Sequence, residues 1–170
     1  IRCLLAITVA GTAAVESWPG WRVPDRNGIA HETNLPELWS KTEGIRWKID
    51  VPGSGISNPI VSEDRVIVTA ADGVRQSDLH IICYAREDGR ELWHQRLWGT
   101  APTRYHASKS SMATPAPVTD GRRVVAFFGT GDVFCIDMHG ELQWQRSLAG
   151  EYGQFDNRFA ASSSPLLFQD

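Results

Sequence analysis

The feature that most limits what this chain can become is a glycine followed four residues later by a tryptophan, written twice: Arg86-Glu87-Asp88-Gly89-Arg90-Glu91-Leu92-Trp93 and Asp137-Met138-His139-Gly140-Glu141-Leu142-Gln143-Trp144. A shorter echo, Gly44-Ile45-Arg46-Trp47, lies upstream. The tryptophans are spaced by 46 residues from Trp47 to Trp93 and by 51 from Trp93 to Trp144. Self-similarity at that period belongs to solenoids, propellers and arrays, in which a unit too small to bury its own apolar face stacks on its neighbours.

Between these phrases the sequence reads as strand throughout. Residues 45–51 alternate apolar and polar side chains and stop at Pro52-Gly53-Ser54-Gly55. Short apolar runs follow at 59–61, 65–69, 79–84 and 91–97, separated by turn residues. The same order recurs at 116–118, 124–128, 133–136 and 142–148, and a third set opens at Ser163-Ser164-Pro165-Leu166-Leu167. The pattern is that of an all-β protein, a β-propeller of four-stranded antiparallel blades: one outer strand, two complete blades and the start of a third. Leucine-rich solenoids need a shorter period and a Leu/Asn ladder, WD repeats their Gly-His and Trp-Asp pairs, and kelch repeats a Gly-Gly doublet; none is present. Because the sequence stops at Asp170 within a repeat, the expectation is a fragment, with 45–170 the N-terminal part of the propeller. Ring closure would then make 45–49 the outer strand of the last blade.

Residues 1–14 combine one cation, an apolar run and a small-residue end, which is the pattern of a signal peptide with its leading end truncated. Cleavage is expected near Ala13 or Ala14, and export would place the protein in the periplasm or outside the cell. The run is too short for a transmembrane span. Cys3 precedes it, whereas a lipid-anchoring cysteine would follow. Residues 15–44 have no period and form an irregular lead-in pinned by Trp18, Trp21 and Trp39. Cys83 and Cys135 occupy matching places in adjacent repeats, too far apart to bridge, and are expected to be small buried thiols.

Gly89 and Gly140 fall between the third and fourth strands, where a tight turn needs the positive φ that glycine adopts at no steric cost. Trp47, Trp93 and Trp144 fall on outermost strands. An indole there can wedge between neighbouring sheets and give its N–H to a backbone carbonyl. These five residues are expected to dock blades and to take no part in catalysis.

Through Cys135-Ile136-Asp137-Met138-His139-Gly140-Glu141-Leu142-Gln143-Trp144 and the looser copy ending at Trp93, the chain resembles the pyrroloquinoline-quinone-like (PQQ-like) β-propeller repeat family, with its Ala-x-Asp-x-x-x-Gly-x-x-x-Trp docking motif. It departs in having Ala85 where the aspartate is usual, and in a second copy one residue shorter before its glycine. The lead-in Trp18-Pro19-Gly20-Trp21-Arg22 looks like that of secreted bacterial members. The resemblance implies either a quinoprotein dehydrogenase binding PQQ and calcium, or a non-catalytic scaffold such as the lipoprotein of the outer-membrane β-barrel assembly machinery. Dehydrogenase members carry adjacent cysteines against the quinone, and this chain has no Cys-Cys pair.

No other catalytic pattern stands in the sequence. The five histidines make no close ligand pair, so no metal site is expected, and no Gly-x-Ser-x-Gly elbow occurs. Gly129-Thr130-Gly131-Asp132 joins two strands with no helix after it, which makes it a hairpin rather than a phosphate loop. A net charge of −3 with no Lys/Arg run longer than two speaks against nucleic acid.

In antiparallel blades the loops between strands two and three emerge on the same face as those between blades. Those are the long loops, at 71–78, 99–112 and 150–160. The middle one carries Arg104, Tyr105, His106 and Lys109, the candidate binding face for a protein or small-molecule ligand. Ser57-Asn58, Thr114 and Ser163-Ser164 begin inner strands, as caps or as a polar ring around the channel. The expected function is an exported, non-catalytic propeller acting as a binding or assembly scaffold, with no cofactor evident. A PQQ-dependent oxidoreductase is the alternative, and a carbohydrate- or surface-binding module the second alternative.

Overall fold

The computed structural model describes residues 3–7, 17–22, 27–29, 36–101, 103–155 and 159–168. A ladder of β1 (Cys3–Ile7) and β2 (Trp47–Val51) stands beside two four-stranded antiparallel sheets. The first sheet runs β3 (Ile60–Ser62), β4 (Arg65–Asp72), β5 (Asp78–Ala85) and β6 (Glu91–Trp98) in simple order. The second repeats that order with β7 (Val118–Thr119), β8 (Arg123–Phe127), β9 (Asp132–Asp137) and β10 (Leu142–Ser147). Each is a propeller blade with its shortest strand at one edge and the tryptophan strand at the other. Of the expected signal peptide, 1–14, only 3–7 lie within the described residues, as β1; much of the lead-in, 15–44, likewise lies outside them.

The blades stack face to face because side chains alternate along each strand. On one face of the first blade Ile67, Leu79, Ile81 and Cys83 meet Val124, Ala126, Phe128, Phe134 and Ile136 of the second. On the other face Val66, Val68, Ala70, Ile82 and Tyr84 pack on Trp47 and Val51 of β2. Coverage on both faces explains why 79–84 is apolar apart from His80: neither face of β5 meets water there. β10 has no sheet on its outer side among the described residues, and its residues are largely exposed.

Three boundaries differ from the sequence pattern. β4 continues through Asp72 because Ala70, Ala71 and Asp72 keep laddering with His80, Leu79 and Asp78, although two alanines give little strand signal. The loop expected at 71–78 therefore shortens to 73–77, around a 3₁₀ turn at Val74–Gln76. The loop expected at 150–160 begins instead inside α1 (Leu148–Tyr152), capped where the Gly150 N–H donates to Ser147 Oγ at 3.2 Å. Residues 163–167 have no strand partner among the described residues.

The Gly-to-Trp phrase has the same local structure in both blades. Trp93 lies opposite Cys83 and Trp144 opposite Cys135, and in each case the register slips just before the tryptophan, at Leu92 and at Gln143. A bulge of this kind twists the strand and re-aims the next side chain. Gly89 (φ 74°) and Gly140 (φ 93°) turn the preceding hairpins. Asp137 supports its turn by accepting from the N–H groups of Glu141 at 3.0 Å and His139 at 2.8 Å, which holds its carboxyl below the ordinary aspartate range. Asp88 accepts from Arg90 N–H at 2.9 Å in the other copy.

Trp47 and Trp93 each pack on the glycine of the following blade, not on the glycine of their own phrase. A Cβ on Gly89 would come within 2.7 Å of the Trp47 ring, and one on Gly140 within 2.8 Å of the Trp93 ring. Trp47 Nε1 donates to the Arg86 carbonyl at 2.8 Å, and Trp93 Nε1 to the Met138 carbonyl at 3.0 Å. Arg65 also donates to the Met138 carbonyl across the blade boundary. Trp47 is accordingly 9% exposed, whereas Trp144, with no turn packed on it among the described residues, is 44% exposed. Gly89→Ala or Gly140→Ala should cost about 2–4 kcal/mol, combining a left-handed backbone with overpacking against a ring. Gly121→Ala, at φ 84° with open space around it, should cost only about 1 kcal/mol. Denaturant melts of the three variants check the ranking, and equal losses would mean the ring contact contributes nothing.

Candidate binding surface

Three connections meet at one end of the two blades: 52–59 before β3, 73–77 between β4 and β5, and 99–117 between the blades. Gln76 holds them together. Its Nε2 donates to Ser54 Oγ at 2.8 Å, while its Oε1 accepts from Met112 N–H at 2.8 Å and Ser111 Oγ at 3.0 Å. Ser111, buried, is near the Ser54 carbonyl as well, at 3.0 Å. Arg75 and Gln76 both take positive φ, at 55° and 57°. Non-glycine residues rarely adopt that region, and it persists only where surrounding bonds over-determine it.

A second node fixes where the chain leaves the first blade. Asp132, 2% exposed, accepts from Thr100 N–H at 2.8 Å, Thr100 Oγ1 at 2.6 Å and Thr130 Oγ1 at 2.6 Å. A buried carboxylate is tolerated when donors surround it in this way. The segment Gly129-Thr130-Gly131-Asp132 joins β8 to β9, with Gly131 at φ 87°, and its acid faces inward onto protein donors.

Of the four residues singled out on the middle loop, the structure brings two together. Arg104 and Tyr105 line a cleft of about 520 Å³ with Thr103 and, from the neighbouring loop, Arg75. Tyr105 leans on the inter-blade core, and Thr103 Oγ1 donates to the Gly129 carbonyl at 3.2 Å. His106 and Lys109 do not line the cleft. They belong to a turn in which Lys109 N–H donates to the His106 carbonyl at 2.8 Å, and the His106 ring stacks on Phe159 at 6.1 Å. Arg75 was missed because Val74-Arg75-Gln76 has no pattern of its own; only the tight β4–β5 connection carries it to the cleft.

The inner-strand starts serve chiefly as caps. Ser57 Oγ bonds Thr69 Oγ1 at 2.9 Å, Thr114 Oγ1 accepts from Ser111 N–H at 2.9 Å, and Ser164 Oγ accepts from Ala116 N–H at 3.0 Å. Asn58, Thr114 and Ser162–164 also line a second cavity, of about 560 Å³, with Trp21 and Arg22.

A polar chain absent from the sequence reading crosses the β2-facing side of the first blade. Buried His80 bonds Asp72 Oδ1 through Nε2 and His94 Nε2 through Nδ1, both at 2.9 Å. Beside a carboxylate acceptor, a neutral His80 would donate from Nε2 and receive the His94 N–H at Nδ1. His94 Nδ1 lies 4.0 Å from Glu91, and no hydroxyl or thiol among the described residues is hydrogen-bonded to this chain. The three residues come together only through the registers of β4, β5 and β6.

Cys83 and Cys135 are separate and buried in β5 and β9. Burial pushes the Cys83 thiol up to about 11 and raises that of Cys135, which keeps both protonated and unreactive. No group of three or more His, Cys, Asp or Glu among the described residues could hold a metal ion. No helix among them is long and apolar enough to cross a membrane.

The sequence model of one protein family, described as outer membrane protein assembly factor BamB, matches residues 31–170. No curated protein matches the chain. Similar solved structures include BamB from Moraxella catarrhalis, at 22% identity and a TM-score of 0.44 over 61% of this chain. A europium-containing methanol dehydrogenase is similar at 18% identity and a TM-score of 0.42, also over 61% of this chain. The chain spans 27% of the length of the first and 19% of the second.

Acid titration reads the imidazole pair. Burial first, and then the charge of His80, hold the His94 pKa below the ordinary imidazole value. The unfolded chain therefore takes up this proton more readily than the folded one. The His94 contribution is complete above the unfolded value of about 6.5 and is lost as pH falls below it. The thermal midpoint should fall between about pH 7 and pH 5, and His94→Gln should flatten that slope. An unchanged slope in the variant would assign the acid sensitivity elsewhere.

Proposed function

The chain belongs to the PQQ-like repeat family described as outer membrane protein assembly factor BamB, and we propose that it forms the N-terminal part of an exported, non-catalytic β-propeller that works as a binding or assembly scaffold. One observation carries this: Gln76 ties three connections into a fixed platform, and Arg75, Arg104 and Tyr105 surround a cleft there. Guanidinium groups beside a phenol suit an acidic segment of a protein partner, because Arg pairs with carboxylates through two parallel hydrogen bonds. A rigid platform loses little entropy on binding, which favours recognition of a partner by loops. Charge reversal by Arg104→Glu in the full-length protein should cut partner capture from the cell envelope about tenfold or more, while Lys48→Glu, on β2, should leave it unchanged. Equal capture by both variants rules out the cleft. A quinoprotein oxidoreductase is the competing function, and dye reduction by full-length protein supplied with PQQ and calcium would establish it instead.

Export forms part of the same proposal. Residues 1–14 have the charge, apolar run and small-residue end that a signal peptidase reads. Their removal would free the edge of β2, which β1 occupies in this structure, for a strand of another blade when the ring closes. N-terminal sequencing of the mature protein should therefore begin near Val15, in a periplasmic or extracellular fraction. Recovery of residues 3–7 in the mature chain would overturn this assignment.

A further inference from the structure

The lead-in does more than connect. Trp18 N–H donates to the Val61 carbonyl at 2.8 Å and Val61 N–H returns the bond at 2.9 Å, while Thr119 N–H donates to the Pro19 carbonyl at 2.8 Å. Val61 is on β3 and Thr119 on β7, the innermost strands of the two blades. The segment 18–19 is thus a strap across two inner edges, and Gly20 is held close to Val118, where a Cβ would come within 3.0 Å of a methyl group. Trp21 follows at once. Its backbone is anchored, yet its side chain is 52% exposed. Arg22 beside it has a left-handed φ of 61°, and its carbonyl accepts from Gly28 N–H at 3.2 Å.

The indole keeps about half of its surface in water and lines a cavity. The cavity beside it, about 560 Å³, has the volume of a small-ligand site. Its lining combines apolar surface from Trp21, Ile56 and Leu166 with the amide of Asn58, the guanidinium of Arg22 and the hydroxyls of 162–164. No hydrogen bond ties the side chains of Arg22, Asn58, Ser162 or Ser163 to another described residue. No carboxylate lines the cavity among the described residues.

We infer that Trp21, Arg22, Asn58 and Ser163 form a binding site for a pyranose oligosaccharide beside the segments that lead into the inner strands of the two blades. A sugar ring offers an apolar C–H face to an indole and a rim of hydroxyls that both donate and accept. The lining supplies those two halves: a flat aromatic surface, and unoccupied amide, guanidinium and hydroxyl groups around it. The site is independent of the Arg104 cleft, and its failure would leave the scaffold function untouched.

The test is titration of the full-length protein with cellohexaose, xylohexaose, chitohexaose and hexagalacturonate, followed by tryptophan fluorescence and calorimetry. At least one should bind saturably, and Trp21→Ala should weaken it about tenfold or more. The double variant Asn58→Ala, Ser163→Ala should weaken it several-fold, whereas Trp98→Ala, an exposed tryptophan on β6, should not. Trp21 is exposed, so its alanine variant should melt as the parent does. Melting curves confirm this, and Trp21→Tyr, which keeps a ring, should restore most of the affinity. Absence of saturable binding to all four sugars overturns the inference. So does equal binding by Trp21→Ala, or preference at these residues for a proline-rich peptide.

Discussion

An indole ring lying on a residue that has no side chain joins each unit of this protein to the next. The contact satisfies two demands that conflict elsewhere. A ring that buries roughly 150–250 Å² needs a flat, close surface, and its N–H needs an acceptor within reach. A glycine in a turn provides both, since its bare Cα lets the ring approach and its neighbours' carbonyls point outward. Gly89 receives Trp47 and Gly140 receives Trp93, with the indole N–H bonded to Arg86 in one case and to Met138 in the other. The bulge before Trp93, and its counterpart before Trp144, sets the aim of the ring. The apolar faces of the blades then fall into contact behind it.

The sequence announces the parts of this contact more plainly than their pairing. Gly89 and Trp93 stand in one phrase, which suggests one local unit; in the folded chain their partners lie one repeat away on opposite sides. Periodicity made the strands legible because alternating or fully apolar runs have few other uses. It could not show that β4 continues through two alanines, since that extension depends on the partner strand and not on residue preference. The polar groupings were hidden for the same reason. Asp72, His80 and His94 belong to three strands, and only their mutual register makes them neighbours. Gln76 and Arg75 sit in a turn whose left-handed backbone no local pattern predicts for such residues. The middle loop was recognisable by its mixture of cations and aromatics, but a turn carries His106 and Lys109 away from Arg104 and Tyr105.

The connections are held by a different chemistry from the blades. Apolar burial between sheets is non-directional and tolerates substitution of similar volume. The loops are fixed by a few directional bonds around Gln76 and Asp132, which leave little freedom in where Arg75, Arg104 and Thr103 stand. Such a division lets the outer surface of the loops vary in sequence while the blades keep their stacking.

A repeat that carries the ring at one end and the glycine at the other has a direction. Each joint is heterologous, like the head-to-tail joints that build either closed rings or open filaments. Units of this kind can be added in one rotational sense only, and a reversed unit would bring ring to ring and turn to turn. Duplication of a single unit by recombination therefore preserves the joint automatically, because every copy brings both a donor and an acceptor. The number of blades is then set by the small angle between neighbouring sheets, and not by any residue that counts them.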